Sequence, residues 1–254
     1  MKKTIVITGA TSGFGQAIAR RFCADGWSLI LVGRRQERLE ELSRELGRQE
    51  DILSLNLDVR DRAQVFEAFE QLPEAFAKVD VLVNNAGLAL GLEPSWATDI
   101  EDWETMIDTN IKGVTYCTRA LLPIMVENNS GMIVNIGSTA GSWPYAGGNV
   151  YGGTKAFVQQ FSRNLRCDLL GKNIRVTNLE PGMAETEFSK TRFKGDAEKA
   201  GKVYAGAKPL TANDIAEAVH WVVHLPPHVN VNSMELMSID QTWSPLAVNR
   251  NNQS

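Results

Sequence analysis

Thr4-Ile5-Val6-Ile7-Thr8-Gly9-Ala10-Thr11-Ser12-Gly13-Phe14-Gly15 is the stretch on which the fold turns. A short apolar, β-branched run gives way to Gly9, Gly13 and Gly15, and an amphipathic stretch, Gly13–Asp25, follows at once. The run reads as a buried strand and the stretch as a helix. Glycines between a strand and a helix let the backbone turn tightly and approach a pyrophosphate, whose charge then lies at the helix N-terminus. The spacing is Gly-x3-Gly-x-Gly rather than Gly-x-Gly-x-x-Gly. A glycine-rich turn with no ligand is the competing reading of these residues alone.

Outward from that turn, apolar runs alternate with amphipathic stretches. Strands are expected at Thr4–Thr8, Ser28–Val32, Ile52–Leu57, Val79–Asn84, Gly131–Ile136, Ile174–Leu179 and Glu235–Ile239. Interiors such as Leu29-Ile30-Leu31-Val32 are continuously apolar, as in strands buried on both faces. Helices are expected at Gly13–Asp25, Gln36–Leu46, Arg62–Leu72, Ile100–Asn128, Val150–Leu170 and Ala212–His224. The alternation implies βαβ units and one α/β domain over residues 1–254. Its doubly wound parallel sheet has about seven strands, with helices on both faces. The stretch 183–209 has no clear period and is rich in Lys, Gly and Glu. Such a segment inside a compact domain is expected to be a binding lid.

The 254 residues carry 26 Lys and Arg against 30 Asp and Glu, a formal net charge of −4. No basic excess is available to neutralise phosphates, so nucleic acid is not an expected partner. Hydrophobic residues at 43% and charged residues at 22% exclude disordered and fibrous classes. The apolar run after Met1-Lys2-Lys3 is too short for a secretory signal, and none approaches the ~20 residues of a membrane span. A soluble cytoplasmic protein with no membrane partner is expected. Cys23, Cys117 and Cys167 stand far apart and read as small buried residues in a reducing compartment. His220, His224 and His228 recur every four residues, but no cysteine or carboxylate pattern accompanies them. Surface or capping roles are expected there, and no metal site.

Cofactor choice in such sheets is read at the end of the second strand, where an acid would select NAD. This chain has Gly33-Arg34-Arg35, with two guanidinium groups where a 2′-phosphate would lie. NADP(H) is the expected cofactor. Asp58, beside Val59 at the end of the third strand, either accepts from an adenine amino group or caps the next helix. Tyr151 and Lys155 stand four apart on an expected helix and project from one face. A nearby ammonium favours phenolate and brings a phenol towards acid/base work near neutrality. Ser138, after the fifth strand, offers a hydroxyl to a substrate oxygen.

Thr8–Gly15, Asn84–Gly87, Asn110, Ser138, Tyr151 with Lys155, and Pro181-Gly182 with Thr186 together resemble the short-chain dehydrogenase/reductase family, in its order and spacings, over essentially the whole chain. The resemblance implies a Rossmann-like oxidoreductase with Tyr151 as general acid in reduction and base in oxidation. It also implies that Lys155 tunes Tyr151 and bonds the nicotinamide ribose, and that Ser138 orients the carbonyl. Asn110 is implied to kink its helix and hold a relay water. Cofactor contacts are implied from Gly9, Thr11, Ser12, Gly13, Phe14 and Gly15, from Asn85, Ala86 and Gly87, and from Asn110, Tyr151 and Lys155. Arg34, Arg35, Asp58 and Val59 join these at the adenosine end. Backbone around Pro181, Gly182, Ala184 and Thr186 is implied to bond the carboxamide.

Longer stretches, among them Gly137–Tyr151 and Glu101–Asn110, resemble a subgroup of NADP-dependent 3-hydroxy acid dehydrogenases, malonic semialdehyde reductases and sulfoacetaldehyde reductases. That implies a short anionic carbonyl or hydroxy-acid substrate. The expected pocket wall is Leu88, Leu90, Ser138, Trp143, Asn149, Tyr151 and Met183. Arg192, flanked by Phe188 and Phe193, is the expected grip on the anion, with Arg250 as the other candidate. A general aldehyde or ketone reductase without anion selectivity, and a non-catalytic NADP-binding protein, are the competing functions. Family habit implies a homotetramer or homodimer through the Ile100–Asn128 and Val150–Leu170 helices, with Phe157, Phe161 and Leu165 on one face.

Overall fold

Alternate residues of each strand feed two separate cores. Ile5, Ile7, Leu29, Leu31, Val81 and Val83 enter one, and Val6, Ile30, Val32 and Leu82 enter the other. This is why the strands are apolar at every position rather than at every second one. The computed structural model of the protein describes residues 2–243. Its strands are β1 (Thr4–Thr8), β2 (Ser28–Gly33), β3 (Ile52–Asn56), β4 (Val81–Asn84), β5 (Gly131–Ile136), β6 (Ile174–Pro181) and β7 (Ser233–Leu236). They form one parallel seven-stranded sheet in the order β3-β2-β1-β4-β5-β6-β7.

Helices α1 (Gly13–Ala24) and α2 (Gln36–Leu46) cover the first core. Helices α3 (Arg62–Glu70), α5 (Val114–Glu127) and α6 (Asn149–Asp168) cover the second, and α4 (Ile100–Ile107) packs on α6. Helix α9 (Ala212–His224) joins α1 and α2 over the first core through Ile215, Val219 and Val222. Residues such as Phe22, Leu39 and Leu121 are fully buried. Each such side chain contributes ~1.5–3 kcal/mol relative to exposure. The chain leaves β3 and returns on the far side of β1, so β1 and β4 are neighbours that lead away in opposite directions. A crevice therefore opens at their carboxyl ends.

Four expectations are corrected. Among the described residues the last strand is Ser233–Leu236, not Glu235–Ile239: there it pairs with β6 alone, and that pairing ends at Pro181↔Leu236, leaving Ile239 fully exposed. The expected Ile100–Asn128 helix is interrupted by a π-helical turn over Asp108–Gly113. The stretch 183–209 is irregular only in part. It holds α7 (Glu187–Arg192), capped by Thr186, and α8 (Ala197–Lys202), capped by Asp196, each too short to print a period. Cys167 lies exposed on α6 while Cys23 and Cys117 are buried. No helix among the described residues is long and apolar enough to cross a membrane.

Candidate active site

A cleft of ≈ 620 Å³ occupies that crevice. Its floor is the β1–α1 turn. Gly9 takes φ +67°, and a Cβ there would come within 2.9 Å of the Ala86 backbone. Gly15 faces the other way: a Cβ on it would lie 2.3 Å from the Gly9 carbonyl, so this glycine packs α1 onto β1 and does not line the cleft. Asn85 fastens the two sides of the crevice by donating from Nδ2 to the carbonyls of Thr8 at 2.9 Å and Gly9 at 3.2 Å. Thr11, Ser12, Gly13 and Phe14 follow along the wall, with Ala86 and Gly87 opposite. The first turn of α1 has no acid and no side-chain cap, so its partial positive charge faces the cleft uncompensated.

At the end of β2, Arg35 folds over this turn. Its Nη2 donates to Thr11 Oγ1 at 2.8 Å and to Ser12 Oγ at 3.0 Å, and its Nε donates to Thr11 Oγ1 at 3.2 Å. Arg34 stands beside it, 3.6 Å from Asp58 and more than half exposed. Asp58 does not cap a helix; Asp61 caps α3 by accepting from the Gln64 amide. Burial works to raise the Asp58 carboxyl, but hydrogen bonds from Arg60 and the charges of Arg60 and Arg34 hold it below its ordinary range. Val59 is buried beside Asp58 on the same wall. Sequence reasoning missed Arg38, whose Nη1 meets Glu187 of α7 at 2.8 Å, while Arg35 meets the same carboxylate at 3.4 Å. These two pairs join α2 to the first turn of α7 across the cleft mouth.

Tyr151 and Lys155 lie on the inner face of α6, and both are buried. Lys155 Nζ donates to the Ile136 carbonyl at 2.8 Å and lies 5.8 Å from the Tyr151 ring centroid. Burial lowers Lys155 to about 8. Burial pushes the Tyr151 phenol up to about 12, while the Ser138 hydroxyl and the Arg192 charge act in the opposite direction. The expected lowering of Tyr151 by Lys155 is therefore corrected: desolvation wins, and the ammonium is engaged with a backbone carbonyl. Ser138 Oγ accepts from the Ala140 amide at 3.1 Å and faces the Pro181 carbonyl. Asn110 sits fully buried in the π-helical turn. It donates from Nδ2 to Leu88 O at 2.8 Å and Thr154 Oγ1 at 3.0 Å, and it accepts at Oδ1 from the Leu88 amide at 2.9 Å. Oδ1 of Asn110 and Nζ of Lys155 both converge on Gly87, the former within 3.2 Å of where a Cβ would stand.

Backbone after β6 is partly committed. The Gly182 amide donates to Leu236 O, and the Met183 amide donates to Gln241 Oε1, each at 2.7 Å; Ala184 O accepts from Tyr204. Thr186 faces Gly13 across the cleft. Over the Tyr151 ring lies Arg192, its guanidinium carbon 5.3 Å from that centroid, 5.6 Å from Tyr145 and 5.7 Å from Phe188. Arg192 donates to the Tyr145 hydroxyl, and its Nε is shielded from solvent without a hydrogen-bond partner. Trp143 and Met183 line the same end of the cleft. Two expected wall residues do not. Leu90 packs behind, against Leu88, Ala89 and Met106, and Asn149 turns away to Glu93 O and Thr98 Oγ1. Arg250 lies outside the described residues.

The histidine row acquires the carboxylate that sequence spacing lacks. Asp25 of the α1 C-cap meets His220 Nε2 at 2.5 Å, and the His224 ring lies tilted beside that of His220, centroids 4.0 Å apart. Arg21 donates to Asp25 at 2.7 Å and to His220 Nδ1 at 3.3 Å. An arginine only donates, so Nδ1 is the acceptor and Nε2–H points at Asp25. The cluster is an interhelix hydrogen-bond network between α1 and α9.

A family model described as short chain dehydrogenase matches residues 3–197. The chain is 60% identical to the NADP-dependent 3-hydroxy acid dehydrogenase YdfG of Salmonella typhi, over 97% of this chain and 99% of that protein. It is 54% identical to sulfoacetaldehyde reductase 2 of Chromohalobacter salexigens, over 98% and 100%. A solved structure of the closed form of serine dehydrogenase complexed with NADP+ superposes with a TM-score of 0.95 at 57% identity, covering 97% of this chain and 99% of the other. With a parallel sheet in this order, a glycine turn at its crevice and Tyr151 beside Lys155 within it, the chain belongs to the short chain dehydrogenase family.

Proposed function

We propose that the protein is an NADP(H)-dependent oxidoreductase that moves a hydride between the nicotinamide and a short anionic carbonyl or hydroxy acid, such as malonic semialdehyde, sulfoacetaldehyde or a 3-hydroxy acid. The observation that carries the anionic substrate is Arg192: a guanidinium over the Tyr151 ring with a buried, unpartnered Nε. Relatives named as a 3-hydroxy acid dehydrogenase and a sulfoacetaldehyde reductase support the same reading.

The residues fit a dinucleotide with a 2′-phosphate. The uncapped, acid-free first turn of α1 suits a pyrophosphate, and Arg35 with the Thr11 and Ser12 hydroxyls suits a phosphate monoester. NADPH, when bound, supplies the hydride. Tyr151 gives its proton to the carbonyl oxygen as that oxygen gains charge, and a phenol pushed up to about 12 is fully protonated at neutral pH. Ser138 donates a hydrogen bond to the same oxygen. Lys155, mostly charged at neutral pH, stabilises the phenolate left behind. In oxidation the phenolate takes the proton back.

Residues 183–209 act as the lid, with Phe188 and Arg192 brought over Tyr151 by α7. Lys194 and Lys199 of that lid are paired at the surface with Asp102 and Asp196, and among the described lid residues Arg192 is the cation that lines the cleft. The protein works in the cytoplasm as a homotetramer or homodimer. The stacked Phe157 and Phe161 on α6, half-buried, support association, although Leu165 of that row turns into the core. Purified protein assayed at equal NADP(H) with malonic semialdehyde, sulfoacetaldehyde and L-serine tests the activity. NADP(H)-linked turnover of at least one is expected, and turnover of none overturns it.

A further inference from the structure

Two tryptophans far apart in the sequence, Trp143 and Trp243, share one carboxylate at the cleft rim. Trp143 Nε1 donates to Glu235 Oε2 at 2.9 Å, and Trp243 Nε1 donates to Glu235 Oε1 at 2.6 Å. The indole centroids are 6.0 Å apart, and both rings line the cleft. A carboxylate only accepts and an indole only donates, so each oxygen fixes one ring.

The Glu235 backbone is held in register. It sits on β7 opposite Glu180 of β6, and both strands end on the cleft. Its register partner Glu180 is buried and accepts from Gln159, which also donates to Ser142 in the turn after Ser138. Trp143 follows that turn directly. Beyond β7 the chain is tied down again, by Gln241 Oε1 on the Met183 amide and by Asp240 on the Lys208 amide. Trp243 therefore ends a segment anchored at both the β6 exit and the lid. Nothing in the proposed proton transfer uses Glu235 or Trp243.

We propose that Glu235 is a positioning residue that clamps Trp143 and Trp243 into the outer wall of the substrate pocket and so limits the length of the carbonyl substrate. This rests on the reading that the cleft reduces short carbonyls, but not on the grip of Arg192. Breaking the clamp frees both rings and lengthens the pocket. The gain for a longer chain is about tenfold, the discrimination that one methylene supplies against a closed wall.

Neutral unbranched aldehydes from propanal to hexanal, assayed with NADPH, separate this from anion binding. In the wild type kcat/KM falls with length. In Glu235→Ala the profile flattens, hexanal gaining about tenfold and propanal losing through KM rather than kcat. Glu235→Gln, which retains one acceptor for one indole, falls between. Adding Glu235→Ala to Trp143→Phe/Trp243→Phe changes nothing further. Acrylamide quenching of tryptophan emission reads the clamp without turnover. Glu235→Ala raises the quenching constant, and the rise disappears in the Trp143→Phe/Trp243→Phe background. Unchanged quenching overturns the clamp. An unchanged length profile, or an equal loss at every length, overturns its role in the pocket. If Glu235→Ala does not fold, Trp243→Phe must flatten the profile by itself, and failure to do so overturns the proposal. The wild-type length profile and the Arg192→Ala comparison of charged with neutral substrates are separate readouts, so either reading can fail alone.

Discussion

Arg38 Nη1 lies 2.8 Å from Glu187 Oε2, and this contact ties α2 to the lid helix α7 across the cleft mouth. The two residues stand 149 positions apart, so only the folded sheet brings them together. The hydrogen bond from Arg38 keeps the Glu187 carboxyl below its ordinary range against the opposing effect of burial. Both side chains are more than two-fifths exposed, so solvent screens the pair and its contribution is at most ~1 kcal/mol. Glu187→Gln should then speed NADPH release by up to about fivefold while leaving the primary isotope effect on hydride transfer unchanged. Stopped-flow displacement measures this. Moderate salt should mimic the substitution in the wild type, and a salt-insensitive, unchanged release rate would show that the pair is no latch.

Arg34 and Arg35 should make NADP(H) the preferred cofactor. A charge-assisted contact is worth ~1.5–3 kcal/mol, or roughly ten- to a hundredfold for each good contact. Arg35, with its three bonds to the Thr11 and Ser12 hydroxyls, is held where it can act; Arg34 is more exposed and should supply less. Titration of the Arg34→Ala/Arg35→Ala variant with both cofactors should show NADPH weakened far more than NADH. Equal weakening would mean that these side chains do not read the 2′-phosphate.

Tyr151→Phe keeps the ring that packs on Phe188 and removes the proton donor. General acid catalysis supplies ~10²–10⁴-fold, and a turnover loss of at least that order is expected. NADPH binding, measured by fluorescence titration, should be largely kept. Turnover within a few-fold of the wild type would remove Tyr151 from the reaction.

Reduction should lose efficiency as pH rises through about 8, where buried Lys155 gives up its charge. Tyr151, pushed up to about 12, cannot produce that limb. The profile of kcat/KM for NADPH reports groups of the free enzyme. Lys155→Arg, slower overall, should lack the limb because guanidinium does not titrate there. The stability sign is opposite. Between about 8 and the ordinary lysine value the unfolded chain binds the Lys155 proton more readily, so folding stability gains from this residue as pH rises through that window. A flat kcat/KM profile from neutrality upward would rule out an ammonium role for Lys155.

What the chain makes legible are features carried by local pattern. Continuous apolar strands announce a sheet covered on both faces. The Gly9–Gly15 turn marks the crevice, and Tyr151 and Lys155, four apart, necessarily share a helix face. Long-range contacts are not legible in this way. Arg38 with Glu187 and Trp143 with Glu235, 92 residues apart, have no local signature. Asn149 looks like a wall residue by its neighbourhood, yet at the start of α6 its side chain is drawn to Glu93 O and Thr98. Helices α7 and α8 escape periodicity because six residues make too few turns to repeat. Direction of a pKa shift is equally hidden: spacing places an ammonium near Tyr151, but burial decides the sign.

The central claim is that this cleft reduces a short carbonyl carrying a fixed anion, and that Arg192 holds the anion. Steady-state kinetics of the wild type and Arg192→Ala, each with sulfoacetaldehyde and with propanal under NADPH, tests it most directly. Losing a charge-assisted contact of ~1.5–3 kcal/mol should lower kcat/KM for sulfoacetaldehyde by roughly ten- to a hundredfold and leave propanal nearly unchanged. An equal loss on both substrates, or no loss on either, would contradict the account.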